Sequence, residues 1–385
     1  MNIAIMIPTL GGGGAERVAS ILGDNYVERG HKVYFFLGRD PHTRKTYDVK
    51  GKIIHTGITP FLGSNSGEIR SALRGAKKIR ELKKKYKIDV AISFMEEFNY
   101  LNILSRGKEK VYVLVCTILS KHPDVNNSLL YNPFILGFFY NKADKVIVMT
   151  DYARKDMHNT YKVKKNKICI IPNPVIPNAR KADLEKKGHE KKNILCIGRL
   201  EAVKQQNVAI KAFSVVHKEI KDARLIILGE GSFRQRIQRM VNRAGLTDSV
   251  ILPGFQKDMS SYFQNADIFL MTSVTEGFPN SMLEAMEAGI PAVSIDSPGA
   301  PGEILIKREG TPYGKYGVIT PYIQDNSYNC SEIEEEETIL GKVLIHLFQN
   351  ESLLVKYREA ALKRAGYYHI SKVMKVWDKL VLNTK

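Results

Sequence analysis

The run Glu276-Gly277-Phe278-Pro279-Asn280-Ser281-Met282-Leu283-Glu284 carries two carboxylates eight positions apart. It closely follows the apolar run Ile268–Met271, which reads as a strand. The first carboxylate therefore falls in the loop beyond the strand's carboxyl end, and the second about a turn into the next helix. Asn280 or Ser281 is expected to cap that helix, leaving backbone amides that can seat a phosphate. A carboxylate accepts hydrogen bonds through both oxygens and so pairs well with neighbouring hydroxyls. Glu276 suits the hydroxyls of a sugar and Glu284 those of a ribose.

A second group is Gly198-Arg199-Leu200 with Lys204, just after the apolar run Asn193–Ile197. Arg offers a fork and Lys a point charge, a pairing that clamps a diphosphate. Cations fixed there stabilise the charge that grows on a departing phosphate oxygen. A third group is the glycine run Gly11–Gly14 ahead of Ala15-Glu16-Arg17. Gly13 and Gly14 let backbone approach a ligand closely. The run is neither a strict dinucleotide fingerprint nor a phosphate loop with a following Lys-Ser/Thr. Taken alone it reads equally well as a flexible turn.

These groups need elements to position them. Asn2–Pro8, Lys32–Leu37, Val90–Phe94, Val111–Val115 and Lys145–Met149 read as strands, with a helix over Ala15–Glu28. A second set begins near Lys192: strands over Asn193–Ile197, Arg224–Leu228, Val250–Leu252, Ile268–Met271 and Pro291–Ile295, with helices between. Pro172, Pro174 and Pro177 crowd the segment between the sets and mark a linker. The expected fold is α/β: two Rossmann-like domains with parallel sheets, over 1–175 and 176–366, facing each other across a central cleft. Ligands of such sheets bind beyond the carboxyl ends of the strands. The tail from Glu332 reads as helices, with Glu334–Glu337 as a solvated helix start.

A chain of 385 residues has room for two domains. Its 58 Lys and Arg exceed its 40 Asp and Glu by 18, and most of that excess lies before residue 179. A polyanionic partner is implied: a lipid headgroup surface, nucleic acid or a phosphorylated substrate. Cys116, Cys169, Cys196 and Cys330 are scattered, so a zinc site and a disulfide framework are both unexpected, and a reducing, cytoplasmic setting fits. No apolar run is long enough to span a membrane, and the first residues lack the pattern of a signal peptide. Between residues 68 and 87 nine basic side chains accompany Ile69, Leu73, Ala76, Ile79, Leu82 and Tyr86 on one face. This is a basic amphipathic helix, suited to anionic headgroups or to the pyrophosphate of a lipid-linked ligand. Aromatics do not interleave with the basic run, so a base-stacking platform is absent and nucleic acid is not the expected partner. Leu129–Tyr140 reads as one apolar helix, either core or membrane-facing.

The set Gly12-Gly13-Gly14-Ala15-Glu16-Arg17-Val18, Gly198-Arg199-Leu200 with Lys204, Pro253-Gly254-Phe255, Glu276 to Glu284 and Ala285-Met286-Glu287-Ala288-Gly289-Ile290-Pro291 resembles glycosyltransferase family 4, retaining enzymes of the GT-B fold. The resemblance spans nearly the whole chain. It implies that a final helix, about 367–385, returns to the first domain. It implies catalytic roles for Arg199 and Lys204 on the donor diphosphate and for Glu276 on the transferred sugar. Glu284 would meet the ribose and Gly254 and Phe255 the nucleobase. Gly13, Gly14, Gly198 and the backbone of Gly277, Phe278, Pro279, Asn280 and Ser281 would line the rest of the donor site. The stretch Ser93–Asn99 resembles members acting on lipid-linked or surface-polysaccharide intermediates, which makes Glu96 and Asn99 acceptor candidates. Some relatives carry a His near the transferred sugar, and His122 is the candidate here. The motif after residue 295, Pro298-Gly299-Ala300-Pro301-Gly302-Glu303, matches the family pattern loosely.

The resemblance implies transfer of a hexose or N-acetylhexosamine from a nucleotide sugar, with UDP favoured, to a saccharide hydroxyl on a polyprenyl-linked acceptor. The setting would be the inner face of a membrane. No cofactor or metal is expected, because Arg199 and Lys204 supply the countercharge and no Asp-x-Asp pair occurs. Alternatives are an epimerase or phosphorylase on the same fold and a basic-patch RNA or membrane binder. A dinucleotide oxidoreductase lacks its acidic ribose ligand at the end of the second strand.

Overall fold

The computed structural model describes residues 1–38, 47–58, 66–121, 128–176 and 192–382. Their contacts divide the chain into two units, Met1–Pro174 with Ser371–Lys385, and Val175–Ile370.

Unit 1 runs β1 (Asn2–Ile7), α1 (Gly14–Glu28), β2 (Lys32–Leu37), β3 (Lys52–His55), α2 (Ser66–Lys85), β4 (Val90–Phe94), α3 (Glu96–Leu104), β5 (Lys110–Leu114), α4 (Pro133–Tyr140), β6 (Lys145–Val148), α5 (Asp151–Asn159) and β7 (Ile168–Ile170). The strands form one sheet in the order β3-β2-β1-β4-β5-β6-β7. Every pairing is parallel. Ile3, Ile5 and Ile7 alternate in sequence, yet Ala4 and Met6 between them are equally buried. A central parallel strand is covered on both faces by crossover helices, so alternation here does not mark a wet face.

Unit 2 runs β8 (Lys192–Ile197), α6 (Gln206–Glu219), β9 (Ala223–Leu228), α7 (Arg234–Arg243), β10 (Val250–Gly254), α8 (Ser260–Asn265), β11 (Ile268–Met271), α9 (Asn280–Glu287), β12 (Ala292–Ile295), α10 (Ala300–Leu305), β13 (Val318–Thr320), α11 (Glu335–Gln349) and α12 (Glu351–Ala365). Its sheet has the order β10-β9-β8-β11-β12-β13, again all parallel. Two parallel α/β sheets of this kind make up the GT-B fold. The last helix, α13 (Ile370–Val381), packs into unit 1. Tyr112 of β5 donates to the Leu380 carbonyl at 2.8 Å, and Arg29 pairs with Asp378.

Several expectations need correction. Leu129–Tyr140 is not one helix: a short 3-10 turn at Leu129–Tyr131 is followed by Asn132, whose side chain caps α4 by accepting from Phe134 and Ile135 amides. Pro133 cannot donate into a continuing ladder, so the helix restarts there. Glu334–Glu337 does start a helix and Glu334 and Glu335 are exposed there, but Glu337 is not solvated. Glu334 and Glu337 form a capping box, and Glu337 is fully buried against Lys211 at 3.2 Å, with Asp325 completing the cluster at 2.7 Å from the same ammonium. The supposed apolar stripe of α2 turns inward only in part. Ile69 and Leu73 are about half exposed, whereas Ala72, Ala76 and Ile79 are buried. Lys83 lies on the inward side as well, and its ammonium meets Glu109 at 2.8 Å and the Asn102 side chain at 2.8 Å.

Candidate functional site

The order of sheet 2 reverses between β8 and β11, the place where open parallel sheets leave a crevice at their carboxyl ends. Gly198, Arg199 and Lys204 follow β8, and Glu276 follows β11. The Lys204 ammonium donates to Glu276 Oε1 at 2.5 Å, so an ion pair bridges the reversal. Both groups are mostly buried. Two of the ammonium's three protons are not needed for this contact and can serve a ligand.

The backbone around each partner is pinned. Glu276 pairs with the loop before α10: its amide donates to the Pro298 carbonyl at 3.2 Å, and its carbonyl accepts from Ala300 at 3.0 Å. Lys204 ends a 3-10 turn whose next residue, Gln205, is left-handed at φ 44°. A side chain other than Gly is strained there. The strain is offset by three buried bonds of the Gln205 amide, to the carbonyls of Thr272 and Ile323 and from the Asp325 amide. Thr272 adds donation from its hydroxyl to the carbonyls of Lys204 and Gln205. Arg199 is exposed, with its carbonyl held by the Gln206 side chain at 2.9 Å.

The start of α9 lies at the same reversal. Contrary to expectation, neither Asn280 nor Ser281 caps it. Pro279 is the N-cap residue and no side chain caps the helix. Ser281 donates instead to the Ile197 carbonyl at 3.4 Å, which ties the helix start to the end of β8. Pro279 cannot offer a capping side-chain oxygen. Of the first-turn amides, Asn280 donates to the Phe278 carbonyl at 3.1 Å and Leu283 to that of Pro279 at 3.2 Å. Gly277 and Pro279 are buried, and Phe278 is buried edge-on against Tyr368, with ring centroids 5.6 Å apart. Glu284 sits half-buried on α9, one turn in.

Glycines shape the neighbouring strand ends. A Cβ on Gly229 would lie 2.0 Å from the Gly198 carbonyl oxygen, and one on Gly231 would lie 2.3 Å from that of Leu200. The loops after β8 and β9 therefore meet backbone to backbone, a contact only Gly permits. Glu201 locks them by accepting from the Ser232 amide and hydroxyl, and these bonds hold its carboxyl below the usual range. Gly254 has φ 83°, and Phe255 beyond it is about half exposed, an aromatic face open to stacking. Gly229, Gly231, Gln205 and Thr272 were missed by motif reading. The Gly-x-Gly after a strand was the one local signal available.

In unit 1, Gly13 is the N-cap of α1 and Gly14 its first residue. Glu96 heads α3, directly after β4. Asn99 is not available to an acceptor. It is fully buried, its amide nitrogen donates to the Leu114 carbonyl and to Tyr140 Oη, and its oxygen accepts from Ser93. It fastens α3 to the sheet. His122 lies outside the described residues. Among the described residues no group of acidic, His or Cys side chains has the arrangement of a metal site, and no helix is long and apolar enough to cross a membrane.

Comparison with known proteins agrees with this architecture. A family profile described as Glycosyltransferase Family 4 matches residues 12–178, and one described as Glycosyl transferases group 1 matches residues 179–315. The chain is 31% identical over 277 residues to an uncharacterized glycosyltransferase of Methanocaldococcus jannaschii, covering 66% of this chain and 68% of that protein. It is 26% identical over 337 residues to the N-acetylgalactosamine-N,N'-diacetylbacillosaminyl-diphospho-undecaprenol 4-alpha-N-acetylgalactosaminyltransferase of Campylobacter jejuni, covering 85% of this chain and 87% of that one. Among solved structures, the pneumococcal O-GlcNAc transferase in complex with UDP and GlcNAc superposes with a TM-score of 0.76 over 99% of this chain and 98% of that one, at 14% identity. With two facing strand ends bridged by Lys204 and Glu276 on a GT-B frame, the chain belongs to the family 4 glycosyltransferases.

Proposed function

We propose that this glycosyltransferase moves a hexose or N-acetylhexosamine from a UDP-sugar to a hydroxyl of a lipid-linked saccharide, with retention at the anomeric carbon. The ion pair of Lys204 and Glu276 across the reversal of sheet 2 carries this reading. It places a cation and a hydroxyl acceptor together beside an uncapped helix start. The UDP complex of the pneumococcal transferase and the diphospho-undecaprenol named in the Campylobacter jejuni enzyme support the donor and the acceptor class.

Arg199, Lys204 and the first amides of α9 would hold the diphosphate. As the bond from the sugar's C1 to the phosphate oxygen breaks, negative charge grows on that oxygen, and these groups stabilise it most at that stage. Glu276 would accept from hydroxyls of the departing sugar and Glu284 from the ribose, with Phe255 stacking on the base. The acceptor oxygen bonds to C1 on the face the phosphate leaves, and its proton passes to the phosphate oxygen. UDP is released, and the countercharge is supplied by Arg199 and Lys204 without a metal ion. The exposed cations of α2 would hold the enzyme at an anionic membrane surface on the cytoplasmic side.

The test uses UDP and a panel of UDP-sugars in thermal-shift assays, followed by turnover. UDP should raise the melting temperature of the wild type. Lys204→Ala and Glu276→Ala should each lower transfer by about a hundredfold or more while remaining folded. Near-native turnover in either variant, or transfer abolished by EDTA, would overturn the corresponding assignment.

A further inference from the structure

The loop that leads from Glu276 into α9 is held by backbone at its start and by a ring further on. Val274 donates to the Val203 carbonyl at 2.8 Å, and Glu276 is bonded to Pro298 and Ala300. Beyond Glu276, the Asn280 and Leu283 amides turn back onto Phe278 and Pro279, within the same segment. The Phe278 ring reaches out of that segment. Phe278 is buried, and its ring stands edge-on against Tyr368, which follows α12. Edge-to-face pairs of this kind fix geometry as well as bury area.

Tyr368 is fixed in turn. Its carbonyl accepts from the Val175 amide at 2.8 Å, and the Val175 carbonyl accepts from the Ile370 amide at 3.0 Å. Arg364, in the last turn of α12, lies against its ring. The guanidinium carbon is 5.0 Å from the Tyr368 centroid, 5.2 Å from that of Tyr316 and 5.5 Å from that of Tyr367. The same guanidinium donates to the carbonyls of Glu303 and Ile304, both at 2.8 Å. These belong to the last turn of α10, where carbonyls have no partner within the helix. Gly302 and Leu305 accept there from the Lys307 and Tyr316 amides, and Arg364 supplies donors to the two carbonyls between them. α10 begins at Ala300, whose amide donates to the Glu276 carbonyl. Arg364 therefore reaches the donor loop by two routes, through Tyr368 to Phe278 and through α10 to Glu276.

We propose that Arg364 and Tyr368 are positioning residues for the donor loop, setting Phe278 and Glu276 for a nucleoside diphosphate that neither touches itself. The proposal rests on the donor-site reading above and adds two residues that lie outside its motifs. The fork of Arg is required, because it bonds two carbonyls while its face lies on aromatic rings, which a Lys ammonium cannot do. A positioning role differs from that of a plain helix clasp in one respect. Loosening a clasp lowers stability alone. Loosening a positioning contact lets the loop drift, and a shift of about 1 Å in a binding group is felt as lost affinity or rate.

The full-length protein would be titrated with UDP by calorimetry, with thermal unfolding measured separately in the absence of ligand. Tyr368→Ala should weaken UDP binding about tenfold, the loss expected when an aromatic pair is removed. Tyr368→Phe keeps the ring and should bind UDP as the wild type does. Arg364→Lys keeps the charge, loses the fork and should weaken binding to a similar degree. In the double variant Arg364→Lys with Tyr368→Ala, the two losses should fall short of their product, because both act through one loop. Unchanged UDP affinity in Tyr368→Ala and Arg364→Lys would overturn the proposal, whether or not their melting temperatures fall. Equal losses in Tyr368→Phe and Tyr368→Ala, or losses that multiply in the double variant, would overturn it too. If Arg364→Lys does not fold, Tyr368→Ala against Tyr368→Phe decides. A wild type that does not bind UDP overturns the donor-site reading itself, whereas equal binding by the wild type and every variant overturns the positioning role alone.

Discussion

Lys204 and Glu276 are held by different devices. A backbone bridge to Gly299 fixes Glu276, and side-chain bonds from Gln205 and Thr272 fix the turn that carries Lys204. Each residue sits in a motif that could be read from the sequence. Their pairing could not, because 72 positions separate them. Glu96 was legible as a polar residue after a strand, but its burial was not, and burial sets its chemistry. Its folded carboxyl titrates near 7 instead of the ordinary 4.5, because desolvation disfavours the charge. The folded chain therefore holds a proton that the unfolded chain releases between these values. This contribution to stability is full below about pH 4.5 and is lost as pH rises through 7, by about 3 kcal/mol in all. Urea titrations at pH 5 and pH 8 should show Glu96→Gln lacking that loss. A variant with the wild-type slope would mean that Glu96 is not the buried acid.

At the scale of elements, α2 shows how a periodic pattern misleads. Ile69, Leu73, Ala76 and Ile79 share a face in sequence, and so do Ala72, Ala76, Ile79 and Lys83. The second set faces the core. Small Ala72 and Ala76 allow close approach, and Glu109 with Asn102 can satisfy a buried ammonium, so packing outweighs hydrophobicity at Ile69 and Leu73. Desolvation lowers the Lys83 pKa to about 8. Lys83→Ala would leave Glu109 buried and unpaired, and should cost about 3 kcal/mol in denaturant unfolding. The exposed Lys77, Lys78 and Lys84 behave differently. Reversing their charge together should leave stability within about 1 kcal/mol yet weaken sedimentation with anionic liposomes. Unchanged sedimentation would retire α2 as the membrane contact.

At the scale of the whole molecule, unit 1 is closed by residues from the far end of the chain. Trp377, Met374 and Val381 of α13 are buried in it. Trp377→Ala should destabilise by about 4 kcal/mol, detected as an earlier unfolding transition, because a large cavity would remain. A shift below about 1 kcal/mol would mean that α13 is only loosely attached.

The sequence by itself determined the parallel α/β character of both units and the motif residues around Lys204 and Glu276. Continuous apolar runs and glycine turns are local signals, and they survive into any packing. It did not reveal β3, β7 and β13, which are only three or four residues long and lie at the sheet edges, too short for a periodic pattern to stand out. Only the tertiary structure decided which motifs meet, which of the α2 lysines is inside, that Asn99 is a fastener and that one carboxyl oxygen of Glu96 is buried without a partner. Strand order and desolvation arise from contacts between distant segments, and no local run of residues encodes them.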